Sequence, residues 1–144
     1  MNKNEKNLVE GNLINMYRIS KEWIDELEFY ELELNFFNNL ISERIASNTH
    51  KDLSHKDIYR NIDDLLFKLS NNLISEIKTH RKELVQLIDS NNFSQNSEES
   101  KIHLHLLEKM FRVKDGIKKL KKALFIYIKD NPFDFEFDTI LNDL

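Results

Sequence analysis

The chain has 144 residues and a formal net charge of −4, which suits one domain with a single core and does not indicate a nucleic-acid-binding protein overall. It contains two glycines, one proline and no cysteine. So few chain-breaking residues favour long helices, and the missing cysteines exclude disulfides and thiol catalysis while fitting a reducing, cytoplasmic location. Neither a signal-peptide pattern nor an apolar run of about 18 residues occurs, so no membrane span is predicted.

The first long helix is predicted over residues 20–46, where apolar side chains recur in alternating steps of four and three. This seam comprises Trp23, Leu27, Tyr30, Leu34, Phe37 and Ile41. Ser20 stands before it as a candidate N-cap. The same steps continue backwards through Met16, Leu13 and Val9. Residues 1–19 therefore form either a separate N-terminal segment or an extension of this helix, with Gly11 as its weak point.

Two further helices are predicted, at about 55–90 and 98–130, each with one apolar face. The face of the second helix carries Ile58, Ile62, Leu65, Leu69, Leu73, Ile77, His80, Leu84 and Leu87. That of the third carries Leu106, Met110, Val113, Ile117, Leu120, Leu124 and Tyr127. Ser54 and Asp57 form a variant of the capping box at the start of the second helix, and Pro132 ends the third.

Three long helices with short links predict an all-α fold, an up-down-up antiparallel three-helix bundle with coiled-coil-like packing. The bundle covers residues 20–130, and Gly116 permits a close approach between helices. An acidic aromatic tail follows at 131–144. In this tail Phe133, Phe135 and Phe137 alternate with acidic residues, a period of two that is typical of a strand.

The first helix carries a second apolar stripe, nearly opposite the seam. It comprises Phe29, Leu32, Phe36 and Leu40, and the third helix has a shorter version in Leu104, Leu107 and Phe111. Burying the first four side chains would contribute up to about 10 kcal/mol, so the stripe is expected to be covered. The cover is a second copy of the chain, the tail, or a different protein. The acids of the tail favour the basic third helix, so we expect a homodimer, which Phe36→Asp would break.

Charge is unevenly distributed along the chain. Residues 20–46 hold seven acidic and two basic residues, and residues 101–129 hold nine basic and two acidic ones. An acidic helix beside a basic one sets register, although each exposed ion pair contributes only about 0.3–0.5 kcal/mol. The basic run 118–125, which holds Lys118 to Lys122, contains no aromatic residue except Phe125, so binding of nucleic acid or acidic lipid is the less favoured interpretation.

No pattern of catalytic residues occurs in the sequence. There is no Ser/His/Asp arrangement or nucleophile elbow, and the Glu-x-x-His pattern of di-iron bundles is missing. Of the histidines, His80 lies on the apolar face of the second helix, which indicates a core histidine bonded to a neighbouring side chain. A metal site built from His80, His103, His105 and nearby carboxylates is the alternative.

Lys21-Glu22-Trp23, Glu26-Leu27 and Phe29-Tyr30, followed by Leu34 and Phe37, resemble the opening of a family of short helical proteins from Bacteroidetes-type bacteria. The resemblance covers about residues 20–48 and implies neither an activity nor a functional residue. The sequence as a whole favours a non-catalytic, cofactor-free interaction or scaffolding module that forms a homodimer or binds an unidentified protein. The alternative is a metal- or cofactor-binding helical bundle.

Overall fold

The computed structural model describes residues 2–47, 53–90 and 96–130. They form α1 (Lys3–Ser47), α2 (Leu53–Phe67), a π-helical turn (Lys68–Leu73), α3 (Ile74–Ser90) and α4 (Asn96–Asp130). No strand occurs within these ranges, so the predicted all-α class is confirmed. The tail at 131–144 and the Ser54 side chain of the predicted capping box lie outside the described part of the chain.

Helix α1 begins at Lys3 rather than near residue 20. The Asn2 side-chain oxygen accepts a hydrogen bond from the Glu5 backbone N–H at 2.8 Å. In return, the Glu5 carboxylate accepts one from the Asn2 backbone N–H at 3.3 Å. This reciprocal pair satisfies two of the amide groups that a helix N-terminus leaves without partners. Of the two alternatives for residues 1–19, the structure therefore contains the helix extension.

The prediction that Ser20 caps a helix is wrong, because Ser20 lies inside α1 and is buried. It occupies a seam position, and its hydroxyl donates to the Tyr17 backbone oxygen at 2.7 Å. The Arg81 guanidinium of α3 donates to the same oxygen at 2.8 Å and to the Ser20 hydroxyl at 3.1 Å. The guanidinium carbon also lies 4.1 Å from the centre of the Tyr17 ring. This polar contact joins α1 to α3.

Gly11 does not interrupt α1, although glycine costs about 1 kcal/mol relative to alanine inside a helix. The next turn offsets this cost. Leu13 and Met16 are buried and pack with Leu84 and Leu87 of α3 in a small separate core. Each such side chain contributes roughly 1.5–3 kcal/mol on burial, which exceeds the cost of the glycine.

The π-helical turn explains how the second predicted helix keeps one apolar face. From Leu65 to Ile77 the apolar residues follow three consecutive steps of four, through Leu69 and Leu73. In an α-helix each step of four overshoots a full turn by about 40°, so three in a row would carry the face about 120° around the helix. The π turn holds more residues per turn than an α-helix, so steps of four residues no longer rotate the apolar face around the helix there. Leu69, Leu73 and Ile77 consequently all stay buried.

The apolar faces of all the helices meet in one main core, as the seams predict. Its buried members are Trp23, Leu27, Leu34, Ile41, Ile58, Ile62, Leu69, Leu73, Ile74, Ile77, Leu106, Met110, Ile117, Leu120, Leu124 and Tyr127. The predicted close approach at Gly116 is also present, because a Cβ atom there would stand 3.2 Å from the Leu65 side chain. None of the helices in the described ranges combines the length and apolar character needed to cross a membrane.

Candidate functional site

A buried polar cluster interrupts the apolar interior between α3 and α4. His80 lies on the inward face of α3 with 1% of its surface exposed. Its Nδ1 atom is 2.9 Å from the Glu99 carboxylate, and its Nε2 atom is 3.0 Å from Nδ1 of His103. The expectation that His80 is a core histidine bonded to neighbouring side chains is therefore confirmed.

Three helices position this cluster. His80 and Glu83 stand three residues apart on α3, and Glu99 and His103 stand four apart on α4, so each pair shares one helix face. Glu99 lies in the first turn of α4, where the helix dipole favours a carboxylate. The His103 ring stacks on Trp23 of α1, with ring centres 4.5 Å apart and planes 22° from parallel.

The electrostatics of the cluster favour uncharged side chains. Burial, together with the neighbouring His103, lowers the pKa of His80 to about 4. Burial also lowers the pKa of His103. The pKa of Glu99 rises to about 7 because the carboxyl is buried and because it is hydrogen-bonded to Glu83 and close to its charge. Near neutral pH both histidines are therefore uncharged, and the Glu99 carboxyl keeps its proton to a higher pH than an ordinary glutamate does.

A groove of about 620 Å³ leads from solvent to the cluster. Its lining includes His80 and Glu83 from α3 and Lys101, Ile102 and His105 from α4. Because the groove reaches His80 and Glu83, a small ion or ligand has a route to the buried cluster.

The structure brings together only part of the predicted metal set. His80 and His103 are in hydrogen-bond contact, whereas His105 is exposed on the groove wall. The carboxylates come from Glu83 and Glu99, not from the acidic first helix. Two helical spacings in the sequence are signals for this cluster, His80 with Glu83 at i,i+3 and Glu99 with His103 at i,i+4. No spacing rule links Glu99 to His80, because they lie on different helices.

The residues predicted to mediate interactions divide into two groups. Phe29, Leu32, Leu104 and Phe111 are exposed, with 59%, 70%, 57% and 61% of their surfaces accessible. By contrast, Phe36, Leu40 and Leu107 are half-buried. Sequence reasoning missed Phe125, which is 61% exposed on α4. Phe133, Phe135 and Phe137 lie outside the described residues.

Helices α1 and α4 are joined by the predicted pairing of acidic and basic residues. Glu26 lies 3.3 Å from Lys114, and two turns further along both helices Glu33 lies 2.5 Å from Lys121. Lys118 and Lys122 of the basic run are exposed. Lys119 is exposed as well and pairs with Asp115 of the same helix at 2.8 Å. Of the four lysines in the run, only Lys121 is therefore engaged with another helix in the described part of the chain.

No family model, curated protein or solved structure matches this chain. The resemblance of residues 20–48 to short helical proteins of Bacteroidetes-type bacteria stays a prediction. Proposals about function therefore depend on the geometry of the molecule itself.

Proposed function

We propose that this chain is a non-catalytic helical-bundle module, arranged up-down-up, that self-associates through a face shared by α1 and α4. The observation that carries the proposal is the exposure of Phe29, Leu32, Phe111 and Phe125, large apolar side chains on these two helices. Exposed apolar patches of this kind commonly mark protein interfaces. The cytoplasmic location expected from the cysteine-free composition stays a prediction.

The ion pairs support placing these residues on one side of the molecule. Viewed down the α1 axis, Phe29 and Phe36 are each rotated by about 60° from Glu26 and Glu33, away from the seam. Viewed down the α4 axis, Phe111 and Phe125 are rotated by about 40–60° from the paired lysines, in the opposite direction. Two parallel helices joined along their ion pairs therefore present both sets on the same outer side. We call this surface the α1–α4 face, and it comprises Phe29, Leu32, Phe36, Leu104, Leu107, Phe111 and Phe125.

Charge along the α1–α4 face favours a second copy of the chain as its partner. On α1, the exposed acids Glu22 and Asp25 come before the apolar residues of the face. On α4, the exposed bases Lys118 and Lys122 lie further towards the C-terminus, between Phe111 and Phe125. In a two-fold dimer with antiparallel faces, the acidic part of each copy lies towards the basic part of the other. Such an isologous contact pairs opposite charges twice.

The solution mass of single variants tests this proposal. Leu32→Asp places a charge at the most exposed apolar position of the face, where it leaves the core untouched. We expect the unaltered chain to be a dimer at micromolar concentration and Leu32→Asp to be a monomer by light scattering. Phe67→Asp is the matched control, since Phe67 is 60% exposed but lies on α2. This control is expected to remain a dimer.

Salt provides a second measure of the same contact. Each copy contributes one acidic and one basic group of residues to the contact. Screening of these charges should weaken the dimer as the salt concentration rises. If the full chain stays monomeric up to about 100 µM at low salt, or if Leu32→Asp and Phe67→Asp associate equally well, self-association through this face is wrong. A monomer would mean that the tail or a different protein covers the face.

A further inference from the structure

Three side chains of the buried cluster converge on one point. His80, Glu83 and Glu99 each offer one ligand atom, and these atoms lie within 4.8 Å of one another. Ligand atoms about 2.1 Å from a tetrahedral ion stand about 3.4 Å apart. Small side-chain rotations therefore suffice to bring the three atoms to ligand spacing. Within the described residues this is the one group of three or more such side chains that meets the distance.

We propose that His80, Glu83 and Glu99 bind one divalent transition-metal ion, with a fourth position open to the groove. One imidazole nitrogen and two carboxylate oxygens form a donor set that suits Zn²⁺, Mn²⁺ or Fe²⁺. The groove over His80 and Glu83 supplies both the entry path and room for a water molecule on the ion. The proposal does not depend on self-association, because none of the three ligands belongs to the α1–α4 face.

The surroundings of His80 support a ligand role. Its Nδ1 atom faces Glu99, and its Nε2 atom lies 3.0 Å from His103 Nδ1. With Nδ1 bound to a metal, Nε2–H donates to His103, as the second nitrogen of metal-bound histidines usually does to a neighbouring acceptor. Stacking on Trp23 holds the His103 ring in place. His103 is thus a positioning residue, and the predicted set of three histidine ligands reduces to one.

Charge balance also favours a cation. Glu83 and Glu99 bring carboxylate oxygens within 4.8 Å of each other, and Glu99 is buried. A divalent ion between them neutralises both carboxylates, and any proton held by the pair leaves to solvent. Opposite charges then meet in a largely buried site where two bare carboxylates would repel each other.

Titration with metal ions of untagged, chelator-treated protein tests the proposal. Co²⁺ is the spectroscopic probe, because its visible absorption reports the coordination geometry, and competition with Zn²⁺ gives the affinity. We expect one equivalent to bind, and we expect Glu83→Gln to weaken binding at least tenfold because the amide is a poor ligand. Glu98→Gln is the matched control, since Glu98 is exposed, adjacent to Glu99 and paired with Lys101. Its affinity should equal that of the unaltered chain.

Two results would overturn the metal site. One is the absence of binding of Co²⁺, Zn²⁺ or Mn²⁺ by folded protein at submillimolar concentrations. The other is equal affinity in Glu83→Gln and Glu98→Gln, which would assign the ion to surface groups. Circular dichroism of each variant confirms that a lost signal does not come from unfolding. Leu32→Asp should bind the ion as the unaltered chain does, so failure of the dimer and failure of the metal site are distinguishable.

Discussion

His80 shows how a polar residue occupies a position that its neighbours on the seam fill with aliphatic side chains. Ile77 and Leu84, one turn away on either side, are fully buried. A buried polar group without a partner costs about 1–3 kcal/mol, but both His80 ring nitrogens have one. Two proton arrangements satisfy these contacts, and each keeps the histidine uncharged. The residue is therefore tolerated in the core only because Glu99 and His103 accompany it.

The pKa shifts of the cluster predict an unusual dependence of stability on pH in chelator-treated protein. The His80 pKa of about 4 lies below its ordinary 6.5, so this residue destabilises the fold as the pH falls from 6.5 to 4. The Glu99 pKa of about 7 lies above its ordinary 4.5, so the stability it contributes is complete below pH 4.5 and is lost as the pH rises through 7. We expect maximal stability between these limits, near pH 5–6.

Glu99→Gln separates the two contributions. In the unaltered chain the two contributions oppose each other, so stability should change little between pH 5 and 8. The amide still donates to His80 Nδ1 but does not ionise, so only the His80 contribution remains in the variant. Its stability should therefore rise by roughly 2 kcal/mol from pH 5 to 8. Thermal melts at both pH values measure this difference. Glu98→Gln should keep the behaviour of the unaltered chain. Identical pH profiles for Glu99→Gln and the unaltered chain would show that Glu99 ionises at its ordinary pKa.

At the scale of elements, the π turn behaves as one extra residue in an otherwise regular seam. The steps between apolar residues from Ile58 to Leu87 are four, three, four, four, four, three, four and three. Removing one residue between Leu69 and Leu73 makes them alternate throughout, which is the spacing of a regular two-per-heptad seam. Single-turn π-helical segments within α-helices occur often at functional sites.

This interpretation predicts that a deletion can be tolerated in the middle of a helix. Deleting Asn71, an exposed residue of the π turn, should produce a continuous α-helix and change the free energy of unfolding by no more than about 1 kcal/mol. Deleting Lys78, an exposed residue of α3, should rotate the following apolar face by about 100°. Each leucine removed from the core then costs about 2–5 kcal/mol. Urea denaturation of the two variants compares these costs.

The π-turn interpretation would be contradicted if the two deletions were equally destabilising. Such a result would mean that the π turn makes contacts that an α-helical turn cannot replace. Intact cooperative unfolding of the Lys78 deletion would instead show that the face of α3 does not depend on its register.

At the scale of the whole molecule, the ion pairs between α1 and α4 support the proposed parallel arrangement of these two helices. Seven residues separate Glu26 from Glu33, and seven separate their partners Lys114 and Lys121. Matched intervals in the same order are expected when two helices lie parallel. Parallel α1 and α4, with α2 and α3 running back between them, give the proposed up-down-up order.

Cross-linking tests this order, because the chain contains no cysteine. Cysteine pairs at 26 and 114, and at 33 and 121, should react with a short bismaleimide within one molecule. A pair at 26 and 121 should not, since two extra turns add about 10.5 Å. Dilute Leu32→Asp protein prevents links between copies. Equal yields from matched and mismatched pairs would contradict the parallel arrangement.

Side-chain spacing accounts for the parts of the site that sequence analysis predicted. The inward position of His80 follows from its place among residues spaced by three and four along one helix. His103 and His105 were equal candidates because spacing says only that they point to different sides. Trp23 distinguishes them by stacking on His103. Phe125 is not predicted as an interaction residue because its exposure depends on the rotation of α4 about its own axis relative to α1.

The sequence alone determined the all-α class, the apolar seams, the helix positions within the bundle region and the mutual pairing of acidic and basic helices. The class, the seams and the helix positions follow from the periodicity of residues close together in the chain, and the pairing of acidic and basic helices follows from the net charge of each segment. Only the tertiary structure decided that Ser20 is a buried contact for Arg81 and that Glu83 and Glu99 join His80. Such contacts connect residues on different helices, and their geometry depends on the rotation and offset of each helix in the packed core.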